Sequence, residues 1–226
     1  MQCVKSIVRQ QADAVCEFLA LRSYVATTST LAKLAYDGDE KRAMARLTVL
    51  ANNGQLTAQK IFSPPPPDIV EPLRYWEPGD PVPTEEEWKA ECKQLSNKSR
   101  NRWKAYPEWI TVWRASRRTG NRFGGMGTDR GLTRREMETI RHDIAFAESL
   151  SFFRDRPEFK QVYAEQIYKA DLPHTRGEKV ADGLVLVAED NTVALAIESL
   201  GVGYPPARID AKHRFFAYKR WPYLFV

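Results

Sequence analysis

Residues 179–226, KVADGLVLVAEDNTVALAIESLGVGYPPARIDAKHRFFAYKRWPYLFV, hold the pattern that decides the fold. Two apolar runs, 180–187 and 192–197, flank the polar turn Ala188-Glu189-Asp190-Asn191, the signature of a β-hairpin. Asp182 opens the first run, and Glu198 closes the second sixteen residues on. Chain reversal between them carries both carboxylates to the same end of the pair. Past Gly201-Val202-Gly203, Pro205 and Pro206 start a basic helix through Ile209, His213, Phe216 and Ala217. Trp221-Pro222 stops that helix, and 223–226 reads as a last strand. Two carboxylates on adjacent strand ends suit a hard cation that takes oxygen ligands, such as Mg2+.

Upstream, residues 135–153 place Met137, Ile140, Ile144, Ala147, Leu150 and Phe153 three or four apart. That spacing predicts a helix, which also carries Glu138, His142 and Asp143. Segment 159–168 reads either as a helix end or as the first strand of a sheet. A histidine beside a core stripe is ordinarily structural, and His142, next to Asp143, is read so, its alternative being a metal or acid/base group. His213 is read as satisfying loop carbonyls. With His174 the chain has three histidines, too few for a histidine-rich metal site. Tyr204 is expected to pack over Gly201-Val202-Gly203, its alternative being a nucleophile forming a phosphotyrosine link.

The N-terminal part alternates helix and turn signals. Ala14, Val15, Phe18, Leu19 and Leu21 recur at helical spacing over 10–24. Thr27-Thr28-Ser29-Thr30 offers an N-cap for a short helix through Leu31, Leu34 and Ala35. Asp37-Gly38-Asp39 breaks it and caps a third helix, 40–53, with Ala43, Leu47 and Leu50 inward and Asn52-Asn53-Gly54 as its stop. Two strand-like segments follow, 56–62 and 73–76, joined by four prolines. Three short helices and a two-stranded ribbon in this order predict a winged helix-turn-helix. Lys41, Arg42 and Arg46 on the third helix would then reach DNA bases and backbone, and Lys60 on the wing would contact phosphate. The same module also serves protein–protein contacts.

The linker Glu77-Pro78-Gly79-Asp80-Pro81-Val82-Pro83 leads to a capping box, Thr84 with Glu87, and a helix to about Trp103. Trp109, Ile110, Val112 and Trp113 form a strand-like run. The following basic, glycine-rich 115–131 matches no P-loop lysine pattern, although such a loop can cradle phosphate through backbone N–H groups.

The formal net charge is +5, and its distribution says more than its total. Between Lys93 and Arg135, twelve Lys and Arg residues, among them Arg117, Arg118 and Arg122, face only Glu108 and Asp129. Such segregation predicts a polyanion-binding face, against a merely solvated surface. Cys3, Cys16 and Cys92 are odd in number without CxxC spacing, which predicts reduced thiols. No signal-like apolar segment opens the chain and no run approaches a membrane span, so the expected setting is cytoplasmic.

The order helix, strand, strand, strand, helix, strand over 135–226 resembles the core of the PD-(D/E)XK restriction-endonuclease-like fold. The chain as a whole resembles the plasmid replication-relaxation family, related to mobilisation relaxases with that domain. The likeness rests on Tyr75-Trp76, on Glu138 with His142-Asp143, on Val180-Ala181-Asp182 and on Ala196-Ile197-Glu198. It continues through Gly203-Tyr204, Arg208, His213 and Trp221-Pro222-Tyr223. The departures are Ala181 for a proline, and Ser199-Leu200 where a nuclease carries a lysine. A cation could come instead from the next helix, where Arg208, Lys212 and His213 lie on adjacent turns.

The expected architecture is therefore α+β or α/β. Residues 1–78 form a winged helix-turn-helix, 79–104 a linker helix, and 105–226 a restriction-endonuclease-like domain with a small mixed sheet. The resemblance implies a DNA-binding protein of a plasmid or phage, acting in replication control or mobilisation. Homodimerisation and replication or mobilisation proteins are its expected partners. Because Ser199-Leu200 breaks the catalytic pattern, the second domain is read as a degenerate binding or dimerisation platform. The alternative is a Mg2+-dependent nickase or endonuclease. In it Asp182 and Glu198 hold the metal, and Lys212 or Arg208 steadies the phosphate.

Overall fold

The computed structural model describes residues 2–69, 71–153, 155, 162–165, 181–186, 192–201 and 203–226. Over these the protein is mixed α+β, with two sheets. The larger sheet is built from β3 (Arg74–Trp76), β5 (Val162–Ala164), β6 (Gly183–Leu186), β7 (Val193–Glu198) and β8 (Tyr223–Phe225), in the order β3-β8-β7-β6-β5. β7 and β8 run parallel, and the other pairs are antiparallel. A parallel pair needs a crossover, and α7 (Pro206–Lys219) provides it. The turn expected at 188–191 and His174 lie outside the described residues.

Both faces of this sheet are covered, which is why LVL and VALAI read as continuous apolar runs rather than strict alternations. Val162, Val185, Ile197 and Leu224 point to one side, into a core shared with α6 (Arg134–Ser149) and the N-terminal helices. Leu184, Ala196, Tyr223 and Phe225 point to the other, against α7 and α4 (Glu85–Arg102). At Gly183 a side chain has no room: a Cβ there would lie 2.6 Å from Phe146 Cζ. The glycine lets α6 settle close to the strand end. His142, one turn before Phe146, is carried in on the same helix face.

The smaller sheet has the order β1-β4-β2, all antiparallel, from β1 (Ala26–Thr27), β2 (Leu56–Ser63) and β4 (Glu108–Ala115). It packs with α1 (Gln2–Glu17), which continues into a π-helical turn, Phe18–Arg22. Also against it are α2 (Thr28–Ala35) and α3 (Glu40–Asn52). The N-caps are Thr27, accepting from Thr30 N, and Asp39, accepting from Arg42 N. Asp37 and Gly38 both take positive φ between α2 and α3. Ala43, Leu47 and Leu50 are the buried stripe of α3, as their spacing predicts. Among the described residues no helix is long and apolar enough to cross a membrane.

The ribbon expected from 56–62 with 73–76 does not form. β2 pairs instead with β4 over eight residues, Leu56 opposite Ala115 through Ser63 opposite Glu108. β3 joins the large sheet beside β8. Short sequence separation favoured the first pairing, but β4 offers the longer ladder and the buried Val112 and Trp113. The sheets thus do not divide at residues 78 and 104, and the helix read as a linker is packed along its length. Trp88 Nε1 donates to Asp210 Oδ1 at 2.8 Å, and Ser96 Oγ donates to the Tyr204 carbonyl at 2.7 Å.

Helix α6 lies between the sheets. Ile140 and Ile144 pack with Ile61 and Val112, while Phe146, Ala147 and Leu150 join the large-sheet core. Its first turn carries the capping box Thr133–Glu136. Its last turn carries a fully buried carboxylate, Glu148, held by Thr30 Oγ1 at 2.7 Å and Lys33 Nζ at 2.6 Å, both from α2.

Candidate metal centre and groove

Three elements converge on the end of the hairpin. Gly183 pairs with Ile197, so Asp182 and Glu198 end up side by side beyond the last register pair. Both have the parity of Leu184 and Ala196, which turns them toward α7. Lys212, in the second turn of α7, places Nζ 2.6 Å from Glu198 Oε2. Tyr204 donates its hydroxyl to Glu198 Oε1. The Ser199 N–H donates to Asp182 Oδ2 at 2.7 Å. From α6, His142 Nε2 lies 3.2 Å from Asp182 Oδ2.

One ligand atom from each of His142, Asp182 and Glu198 lies within 4.8 Å of the others, close enough for a single ion to touch all three. The residues fit a divalent cation by a further observation. His142 Nε2 is buried and makes no hydrogen bond of good geometry, although Asp182 Oδ2 lies beside it as an ion-pair partner. A buried nitrogen in that state is costly, and an ion that displaced the imidazole proton would satisfy both it and the Asp182 carboxylate. His142 is the residue that sequence reasoning read as structural first and as a metal group second. Its signal was the His142-Asp143 pair one helical turn from Phe146, which became readable only once Gly183 had drawn α6 to the strand end.

The charges tune one another. Burial alone would raise Asp182, but His142, Lys212 and the Ser199 N–H outweigh it and hold the carboxyl below its usual range. Burial and then the Asp182 charge push Glu198 up to about 7, against the pull of Lys212 and Tyr204. The Asp182 charge raises His142 well above the ordinary imidazole value, despite desolvation. Burial and Glu198 push the Tyr204 phenol far up, so it stays protonated.

Glu198 and His142 both bind protons more tightly folded than unfolded. Their contribution is fully present below the unfolded values and is lost as pH rises through the folded ones. Metal-free protein is therefore expected to lose thermal stability between pH 4.5 and about 7, and further above. Melting curves in chelator would record this, with Glu198→Gln flattening the profile. A wild-type midpoint that rises across this window would contradict the assignment. Asp182 acts oppositely, but only near and below its ordinary value of 3.8.

A groove of about 1060 Å³ leads to these residues. Its walls are loop residues Gly125–Thr128, the first half of α6, and the start of α7 with Arg208 and Lys212. Arg135 and Arg208 are exposed along it, and the Arg208 guanidinium stacks 4.5 Å over the Tyr204 ring. Glu138, Asp143 and Glu165 line it too, so its charge is mixed.

The glycine-rich stretch engages several of its backbone N–H groups within the protein. It begins as a short helix, α5 (Arg117–Phe123), which composition did not reveal. Gly125 N, Met126 N and Thr128 N donate to the carbonyls of Gly120, Ala20 and Ala115. The glycines serve close packing: a Cβ on Gly125 would lie 2.2 Å from Ala20 O, and one on Gly127 2.1 Å from Ser116 O.

Lys41, Arg42 and Arg46 are exposed on α3, Lys60 on β2, and Arg117, Arg118 and Arg122 on α5. The segregated charge is partly paired, by Asp129 within the segment and by Asp13 and Glu136 outside it. Arg122 pairs with Asp13 at 2.9 Å, Arg117 with Asp129 at 3.7 Å, and Arg130 with Glu136 at 2.6 Å. His213 does not serve loop carbonyls. Its Nδ1 meets the Tyr223 hydroxyl at 2.8 Å amid Trp76 and Trp88. Cys16 and Cys92 are buried free thiols, each pushed by burial to about 11 and so inert. Comparison of the chain with protein-family models, with curated proteins and with solved structures finds no match.

Proposed function

We propose that this chain binds DNA and cleaves one of its phosphodiester strands with a divalent ion held by Asp182 and Glu198. The observation that carries the reading is Lys212. Its Nζ lies 2.6 Å from Glu198, in the role that Ser199-Leu200 leaves empty, and it reaches there from α7 rather than from the strand. The large sheet with α6 and α7 is then read as restriction-endonuclease-like. The sheet β1-β4-β2 with α1, α2 and α3 is read as a winged helix whose wing strands are β2 and β4.

When bound, the ion polarises the scissile phosphate and lowers the pKa of an attacking water. The protein's residues supply the rest. Ser199 N–H fixes the orientation of Asp182, and Tyr204 that of Glu198. Lys212 opens onto the groove and neutralises charge that develops on the phosphate oxygens. Arg208 and Arg135 hold flanking phosphates along the walls. Lys41, Arg42 and Arg46 on α3, with Lys60 on the wing, position the duplex. By the family resemblance the DNA is that of a mobile element.

A second reading, a non-catalytic platform, is favoured by one feature. Both Glu198 oxygens are already engaged, by Tyr204 and Lys212, so the cluster neutralises itself without an ion. Supercoiled plasmid incubated with Mg2+ or Mn2+ separates the two. Open-circular product that vanishes in chelator and in the Asp182→Asn protein is the expected result. Salt-sensitive binding that Lys41→Ala with Arg46→Ala weakens, without nicking under either ion, would establish the platform instead.

A further inference from the structure

The donor set at the end of the hairpin contains a nitrogen, and that bears on which ion the centre selects. His142 Nε2 is buried, makes no hydrogen bond of good geometry, and sits within 4.8 Å of carboxylate oxygens from both Asp182 and Glu198. The other ring nitrogen is backed by a carboxylate: Nδ1 lies 3.8 Å from Asp143 Oδ1. Asp143 is itself steadied by Thr139, whose Oγ1 donates to Oδ2 at 3.2 Å. A carboxylate this near one imidazole nitrogen raises the basicity of the other electrostatically, and a small shift to hydrogen-bond distance would give the usual setting of a ligating histidine. The two carboxylates are each oriented as well, by Ser199 N–H and by Tyr204 with Lys212.

Mg2+ demands oxygen ligands in near-ideal octahedral geometry and gives up its waters reluctantly. Imidazole with two carboxylates suits a first-row transition ion better. We propose that this centre takes a first-row divalent transition ion, for which Mn2+ is the probe, through His142 Nε2, Asp182 and Glu198, and discriminates against Mg2+. The proposal deepens the nuclease reading and rests on it only for what the ion is used for. The binding itself stands on the three side chains. His142 is thereby a ligand rather than the structural histidine its place beside a core stripe suggests.

The test is binding, not turnover. Full-length protein stripped with chelator is titrated with Mn2+, following loss of the free-ion electron paramagnetic resonance signal, with Mg2+ as competitor. One Mn2+ per chain is expected, displaced by half only at an excess of Mg2+ of roughly 10-fold or more. His142→Gln is expected to weaken Mn2+ about 10–100-fold while changing Mg2+ little. Circular dichroism checks that this variant folds. Asp143→Asn, which keeps the imidazole, provides the second arm with a loss of about 10-fold. Unchanged Mn2+ affinity in both variants, or displacement by equimolar Mg2+, overturns the proposal. His142-dependent Mn2+ binding without nicking upholds it and overturns the nuclease reading. Nicking that Mg2+ and Mn2+ support equally in His142→Gln protein does the reverse.

Discussion

Lys212→Met is expected to destabilise the protein by about 3–5 kcal/mol at pH 8, where Glu198 is ionised, and to abolish nicking. The Lys212 side chain is 6% exposed and that of Glu198 0%. Removing the ammonium leaves Glu198 and Asp182 as neighbouring carboxylates inside the protein, with Tyr204, His142 and the Ser199 N–H among their partners. A buried charge stripped of its partner costs far more than the pair contributes when intact. The penalty has an escape route, because Glu198 already holds its proton up to about pH 7. At pH 5 the variant is therefore expected to lose much less. Urea denaturation at the two pH values measures the difference, and equal stability of variant and wild type at pH 8 would refute it. Glu198→Gln with Lys212→Met should recover most of the stability and none of the cleavage. That recovery isolates the structural role of the pair, while cleavage is lost with the Glu198 ligand as well as with the lysine.

The second large effect lies at the other end of α6. Lys33→Met removes the cation from Glu148, which is 0% exposed and left with Thr30 Oγ1. A loss of about 3 kcal/mol is expected, which for a chain of this size lowers the midpoint by roughly 6–12 °C. The Lys33 contact with Asp68 contributes little to this, since Asp68 is 76% exposed and solvent screens it. Calorimetry of Lys33→Met, and of Lys33→Met combined with Glu148→Gln, distinguishes the cases. A double variant no more stable than the single would show that α2 and α6 are joined by packing alone. A single variant within about 0.5 kcal/mol of wild type would show that the buried carboxylate finds compensation elsewhere.

What the residues announce by themselves is local. Capping chemistry at Thr27, Asp39 and Thr84, the stripe Ala43, Leu47 and Leu50, and the prolines before α7 specify helices from nearest neighbours. They are accordingly found where periodicity puts them. The chain reversal between two apolar runs is likewise enough to bring Asp182 beside Glu198. Strand partners are another matter. Two segments a few prolines apart looked like a ribbon, yet β2 found its ladder with β4 and β3 went to β8, because pairing is decided by register length and shared burial. The charge pattern was similarly incomplete, since Asp13 and Glu136 reach Arg122 and Arg130 only through space.

The candidate site divides along the same line. Its two carboxylates are legible because one hairpin carries both. Lys212 was one of three cations that α7 could have offered, and the helix's packing angle chose it over Arg208 and His213. His142 beside Asp143 reads as structural first and as a metal or acid/base group second. It enters the site because Gly183, having no side chain, lets Phe146 and the whole of α6 approach the strand end. The sequence by itself determined most of the helices, the hairpin strands and the pair of acids. The tertiary structure decided which cation and which nitrogen stand over them, because those contacts depend on how helices seat on the sheet, and no spacing along the chain encodes that.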